Sequence, residues 1–193
     1  MTGGAPGPAA RASTMSVARA NVLALIWLPI SGVAAATPYA VLWGGGRLAG
    51  LAAALPPLPL GLALMAAGIL IHELLHAAGF LLFGRAQRDQ VRIGFQRRTL
   101  TPFASCRAPV TAAAYRASAL LPAAVLGGIP LLAAWITGSA ALLLFGWVML
   151  ALAGGDVAAV WAMRAVPGPT LVLDHPELVG CRSVEAPGAT ATR

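Results

Sequence analysis

The stretch "LIHELLHAAG", residues 70–79, sets His72, Glu73 and His76 inside an otherwise apolar run. Nothing charged lies between Arg47 and Glu73, or between His76 and Arg85. An uncharged apolar block of that length reads as a membrane-spanning helix, which needs ~20 residues. On a helix, His72 and His76 are four positions apart and share one face. Ionisable side chains inside a span are costly and mark function more often than structure.

The rest of the chain has the same character. Of its 193 residues, 59% are hydrophobic and only 10% are charged, with a mean hydropathy of +0.80. A soluble domain would carry about a quarter charged residues. The apolar residues also come in blocks, so the expected fold class is an all-α membrane protein. Four spans are predicted, at about 20–43, 60–83, 117–136 and 140–163. The first is preceded by Arg11 and Arg19 but continues through Tyr39, Val41 and Leu42, too long for a signal-peptide core. Pro122 and Pro130 are expected to kink the third span. The "TGS" at 137–139 is a tight connection, and "PGP" at 167–169 closes the fourth span. Residues 1–18 are rich in Gly, Pro, Ala and Ser and read as a disordered tail. That leaves one membrane-embedded domain over 19–181 and a second disordered tail over 182–193.

The net charge is +7, carried by Arg with no Lys. The Arg residues are spread beside apolar blocks, and no basic helix with interleaved aromatics occurs, which argues against nucleic acid. An anionic bilayer surface is the expected partner. Arg85, Arg88, Arg92, Arg97, Arg98, Arg107 and Arg116 fall between spans two and three, whereas the link between spans three and four has none. By the positive-inside rule, segment 84–116 and both termini are cytoplasmic, and the protein is a multi-pass protein of the cell membrane. Within that segment, Val91, Ile93 and Phe95 alternate with Arg92, Gly94 and Gln96. Period two predicts a short strand over 90–97, in a hairpin or amphipathic loop on the cytoplasmic side. Cys106 and Cys181 form no CxxC pair and are assigned no role.

His72, Glu73 and His76 form an HExxH pattern. Both imidazoles can reach one Zn²⁺, while Glu73, adjacent to the first ligand, is placed to act as base on zinc-bound water. The arrangement argues against haem, because two His on one side of one helix cannot bind opposite faces of an iron. A catalytic zinc needs a third protein ligand and an open position. Asp156, in "LAGGDVAAV", is the other acid within a span. His76 precedes the end of its span by eight residues, as Asp156 does Arg164, so both sit roughly 12 Å from the cytoplasmic ends. Gly154 and Gly155 beside Asp156, and Gly68 and Gly79 near the His face, would permit close helix approach. Asp174 or His175, reaching back from the tail, remain the alternatives for the third ligand. Asp89 sits among Arg residues soon after its span.

The chain resembles the zincin-type membrane peptidases, small multi-span bacterial proteins, and is distantly similar to the site-2 class of intramembrane metalloproteases. The resemblance runs over about residues 60–181. It is carried by "HELLH" at 72–76, "TPF" and "CRAP" in the following segment, "GGD" at 154–156 and "VLDHPELVG" at 172–180. It implies zinc held by His72, His76 and Asp156, with Glu73 as the catalytic base. Two features depart from site-2 proteases. Their later motif has Asp followed by Gly, whereas Asp156 follows two glycines and precedes Val157, and no peptide-binding domain is inserted here. The expected function is a zinc metalloendopeptidase acting on membrane proteins or membrane-associated peptides. The alternatives are a catalytically inactive zinc-binding membrane protein and a small metal transporter. The outer halves of the spans hold no ionisable residue that could continue a transport path.

Overall fold

A computed structural model describes residues 12–96, 101–175 and 178–184. The chain opens with strand β1 (Ala12–Met15) and then a 27-residue helix α1 (Val17–Trp43). Ser16 starts α1 by accepting the Arg19 amide on its side-chain oxygen at 3.3 Å. A short helix α2 (Gly45–Ala49) leads through a 3₁₀ turn to helix α3 (Leu58–Leu82). Pro57 and Pro59 flank the start of α3, where a missing amide breaks no helical bond. Strands β2 (Val91–Gln96) and β3 (Thr101–Cys106) form an antiparallel hairpin. Strand β4 (Val110–Thr111) runs directly into helix α4 (Ala112–Pro122), which Thr111 caps.

A π-helical stretch over 123–128 joins α4 to helix α5 (Ile129–Thr137), so 112–137 is one continuous rod. Pro122 and Pro130 bracket the π segment. Each proline lacks a donor and pushes away the carbonyl four residues back, and the ladder re-forms at wider spacing. Gly138 then ends the rod in the left-handed conformation (φ 71°), and Ser139 caps helix α6 (Ala140–Leu152). Helix α7 (Gly154–Ala162) follows after a bend of 40°. Strands β5 (Leu171–Asp174) and β6 (Val179–Ser183) close the described chain.

Helices α1, α3 and the α4–α5 rod are long and apolar enough to cross a membrane. The α6–α7 pair makes a fourth if the bent pair counts as one span. The chain is thus a mostly helical membrane protein. The expected all-α class, with a short hairpin or loop between spans two and three, was incomplete, because the described residues include two antiparallel sheets. One is the β2–β3 hairpin, whose first strand covers 91–96 of the expected 90–97, with residue 97 outside the described residues. The other has the order β1-β6-β5-β4. Its strands are two to five residues long and distant in sequence, with Ala12 opposite Arg182, so no local alternation announces them. Its first strand begins at Ala12, inside the expected N-terminal tail, and Arg182 and Ser183 lie in β6 rather than in the C-terminal one. The remaining tail residues, 1–11 and 185–193, lie outside the described residues.

Helix α1 is fastened to the bundle through aromatic donors. The Trp27 indole donates to the Leu150 carbonyl at 2.8 Å, Trp43 to Trp135 at 3.0 Å, and Tyr39 to Gly138 at 2.7 Å. Between the helix ends and the sheet, Phe80, Cys106, Val110, Met163, Val172 and Cys181 form a buried core.

Candidate metal centre

The site is built where α3, α4 and α7 converge. The approach of α3 to α4 needs Gly79: a Cβ there would lie 2.7 Å from the Ser118 Cα. With the helices this close, His76 Nδ1 meets the Ser118 carbonyl oxygen at 3.0 Å. That carbonyl is available because its normal partner would be the amide of residue 122, and Pro122 has none. A carbonyl accepts, so Nδ1 must carry the proton. In the neutral ring, His76 Nε2 is then a lone pair facing outward.

Asp156 sits in the first turn of α7, just past the bend. Gly154 lets this turn pack on α1, since a Cβ there would lie 3.0 Å from the Ala24 Cα. Trp27, beside Ala24 on the α1 surface, satisfies the Leu150 carbonyl that the bend exposes. At the far end, Arg116 Nη1 donates to the Met163 and Val166 carbonyls at 3.1 and 3.0 Å. Helix α7 is therefore fixed at both ends.

Three side chains converge as a result, at the corners of a triangle. His72 Nε2 lies 3.1 Å from Asp156 Oδ2, His76 Nε2 3.2 Å from Asp156 Oδ1, and the two Nε2 atoms 3.1 Å apart. With His76 Nε2 a lone pair, its contact with the carboxylate sets acceptor against acceptor, which a proton or a metal cation between them relieves. The edges of a tetrahedron of nitrogen and oxygen ligands around zinc are roughly 3.3 Å. Each of these three separations is close to that edge already. The His72 and Asp156 side chains keep 13% and 23% of their exposure, so the group is largely shielded yet reachable. Among the described residues, these three are the group that could hold a metal.

Glu73 is half-buried beside this triangle, and the Ala104 amide of β3 is directed at its carboxylate. The hairpin register explains the contact. The Arg107 amide bonds Gln90, so in the pairs Arg92–Ser105 and Gly94–Phe103 the backbone groups point between the strands. Pro102, Ala104 and Cys106 therefore turn theirs outward, to the open edge of β3. Ala104 meets Glu73 there, Cys106 directs its amide at Asp174, and Pro102 has no amide.

The alternative ligands are engaged elsewhere. Asp174 Oδ1 accepts the Tyr115 hydroxyl at 2.6 Å, and burial pushes its carboxyl above the ordinary range. His175 Nδ1 accepts the Leu178 amide. Asp89 lies in a short turn before β2. Burial raises both cysteine thiols, which keeps them protonated and unreactive. Sequence reasoning missed Ser118, Ala104, Tyr115 and Trp27. A signal for the first was present, because a proline inside a helix announces a freed carbonyl four residues earlier. Backbone partners across the bundle leave no such mark.

A family model described as "Putative zincin peptidase" matches residues 65–170, which include His72, Glu73, His76 and Asp156. The match spans more than half of the chain, and the chain belongs to this family. No curated protein and no solved structure gives a significant match.

Proposed function

We propose that this member of the zincin peptidase family is a zinc-dependent endopeptidase embedded in the membrane, cutting membrane proteins or membrane-associated peptides. The observation that carries the reading is the convergence of the His72, His76 and Asp156 side chains, with ligand atoms 3.1–3.2 Å apart and Glu73 alongside. In this reading α6 and α7 form one bent span, giving four, with both termini and the hairpin cytoplasmic. The cluster then lies roughly 12 Å below the cytoplasmic surface. That depth supports the distant likeness to site-2 proteases.

His72, His76 and Asp156 would hold the metal, and Ser118 would orient His76 from behind. The chemistry that zinc supplies when bound is Lewis acidity: water becomes acidic near neutral pH and a peptide carbonyl is polarised. Glu73 takes the proton from the attacking water on its carboxylate. It returns that proton to the amine nitrogen as the peptide C–N bond breaks. The Ala104 amide holds Glu73 in place between these two transfers. The open edge of β3 offers the carbonyls of Pro102 and Ala104 to an extended substrate, next to the base. A helical substrate must unwind to use that edge, because its amides are otherwise hydrogen-bonded within the helix.

The test uses the full chain in lipid nanodiscs, with metal content by mass spectrometry and cleavage of membrane-peptide substrates. Glu73→Gln is expected to keep zinc and lose hydrolysis by about 10²–10⁴-fold. Asp156→Ala is expected to lose zinc. Full turnover in the first variant, or wild-type metal in the second, refutes the assignment. Zinc without hydrolysis in the wild type would favour an inactive zinc-binding protein.

A further inference from the structure

On α7, Val157, Val160 and Trp161 recur at three- and four-residue steps and share one face, and Arg164 follows in the turn just past the helix end. On α4, Arg116 and Leu120 do the same. The two faces meet around a slot of about 390 Å³ lined by these six residues. The slot has a gradient. Arg116 reaches the Met163 and Val166 carbonyls at the end of α7, so both guanidinium groups lie at one mouth. Leu120, Val157 and Val160 form the deeper wall, towards the bend. Arg164 lies over the Trp161 ring at 4.7 Å and donates to the Trp161 carbonyl at 2.9 Å, which holds its charge at the rim. Among the described residues, no carboxylate lines the slot.

Two cations above an apolar wall, at the end of apolar helices, complement a molecule with an anionic head and a hydrocarbon tail. A soluble anion would satisfy only the mouth. An uncharged lipid would satisfy only the wall. Basic pockets between membrane helices on the cytoplasmic side suit phosphate headgroups, and guanidinium groups bind phosphate oxygens in pairs. We infer that this slot binds an anionic phospholipid, its phosphate between Arg116 and Arg164 and an acyl chain along Leu120, Val157 and Val160. The site is separate from the metal cluster but shares its walls. Helix α4 carries Ser118, which holds His76, and α7 begins with Asp156. The lipid therefore packs together the two helices that set the cluster's geometry.

The experiment uses the full-length chain in nonionic detergent, titrated with phosphatidylglycerol, phosphatidylcholine or inorganic phosphate. Bound lipid is counted by native mass spectrometry. Phosphatidylglycerol is expected to fill one saturable site, phosphatidylcholine to bind at least tenfold more weakly, and inorganic phosphate not to displace the lipid. Arg164→Gln should weaken phosphatidylglycerol about fivefold, the share of one arginine. Val160→Trp keeps both charges but fills the slot, and should abolish the site. Arg47→Gln removes the same charge far from the slot and should change nothing. Equal affinity for both lipids, displacement by inorganic phosphate, or equal losses in Arg47→Gln and Arg164→Gln would overturn the proposal. So would unchanged binding in Val160→Trp.

Discussion

Replacing Gly79 by Ala adds one methyl group and tests how the cluster is held. The new Cβ would sit 2.7 Å from the Ser118 Cα, 2.8 Å from its Cβ and 3.0 Å from its Oγ. Comfortable carbon contacts begin near 3.5 Å, so α3 and α4 must separate by roughly 1 Å. The neighbour is backbone, which a rotamer change cannot move aside. The His76–Ser118 bond, now 3.0 Å, would lengthen to about 4 Å, beyond hydrogen-bond range. Overpacking of this kind costs about 1–3 kcal/mol. Loss of a bond that orients a ligating His typically costs about 10–100-fold in metal affinity. Zinc affinity measured by chelator competition, with melting temperature in parallel, separates the two effects. Gly155→Ala is the matched control. It makes the same chemical change next to Asp156, but nothing lies within 4 Å of the added Cβ. A helical Gly-to-Ala change in open space is neutral or stabilises by about 0.5–1 kcal/mol. Zinc affinity in Gly79→Ala within twofold of the Gly155→Ala value would refute the idea that close approach of α3 and α4 orients His76.

Pro122→Ala restores an amide that competes with His76 for the Ser118 carbonyl. Zinc affinity is expected to fall by a few-fold with little loss of melting temperature, read by the same competition assay. Trp27→Phe removes the donor to the Leu150 carbonyl but keeps the ring. About 1 kcal/mol of stability should be lost, and zinc affinity should drop because the bend that places Asp156 loosens; unchanged affinity would exclude Trp27 from positioning. Burial raises the Asp174 carboxyl above its ordinary value of 3.8, against the Tyr115 hydrogen bond. The folded chain thus holds this proton more tightly than the unfolded chain, so the stabilisation is complete below 3.8 and lost as pH rises through the folded value. Melting curves from about pH 4 to 7 should show this loss in wild type and its absence in Asp174→Asn.

Much of this was legible in the residues. Long uncharged blocks reveal spans, because hydrocarbon admits almost nothing else. His72 and His76 reveal their common face by spacing alone. Asp156 could be matched to them by counting residues from the span ends. The four-stranded sheet was hidden because β1 and β6 pair across nearly the whole chain, with too few residues in each to show a period. The bend at Ala153 was half visible. Two glycines flag a weak point, but its direction is set by Ala24 and Trp27 on α1, which nothing near Asp156 announces.

The residues that assemble the cluster work through missing atoms. Gly79 and Gly154 lack a Cβ where α3 packs on the α4 backbone and α7 on the α1 backbone, and Pro122 lacks the amide that would occupy the Ser118 carbonyl. In lipid, helices gain little from burying apolar side chains against each other, and close backbone approach supplies much of the packing. The contacts that hold this bundle together are therefore the ones that set the distances between His72, His76 and Asp156. A metal held by these three side chains would, in turn, tie α3 to α7, which otherwise touch little. Zinc present at 100 times its dissociation constant would stabilise the fold by about 2.7 kcal/mol. Each variant that loosens the helix contacts should shrink that stabilisation in proportion to its loss of affinity. A variant that melts early yet gains the full increment from zinc would separate packing from ligand geometry, and the two would have to be explained independently.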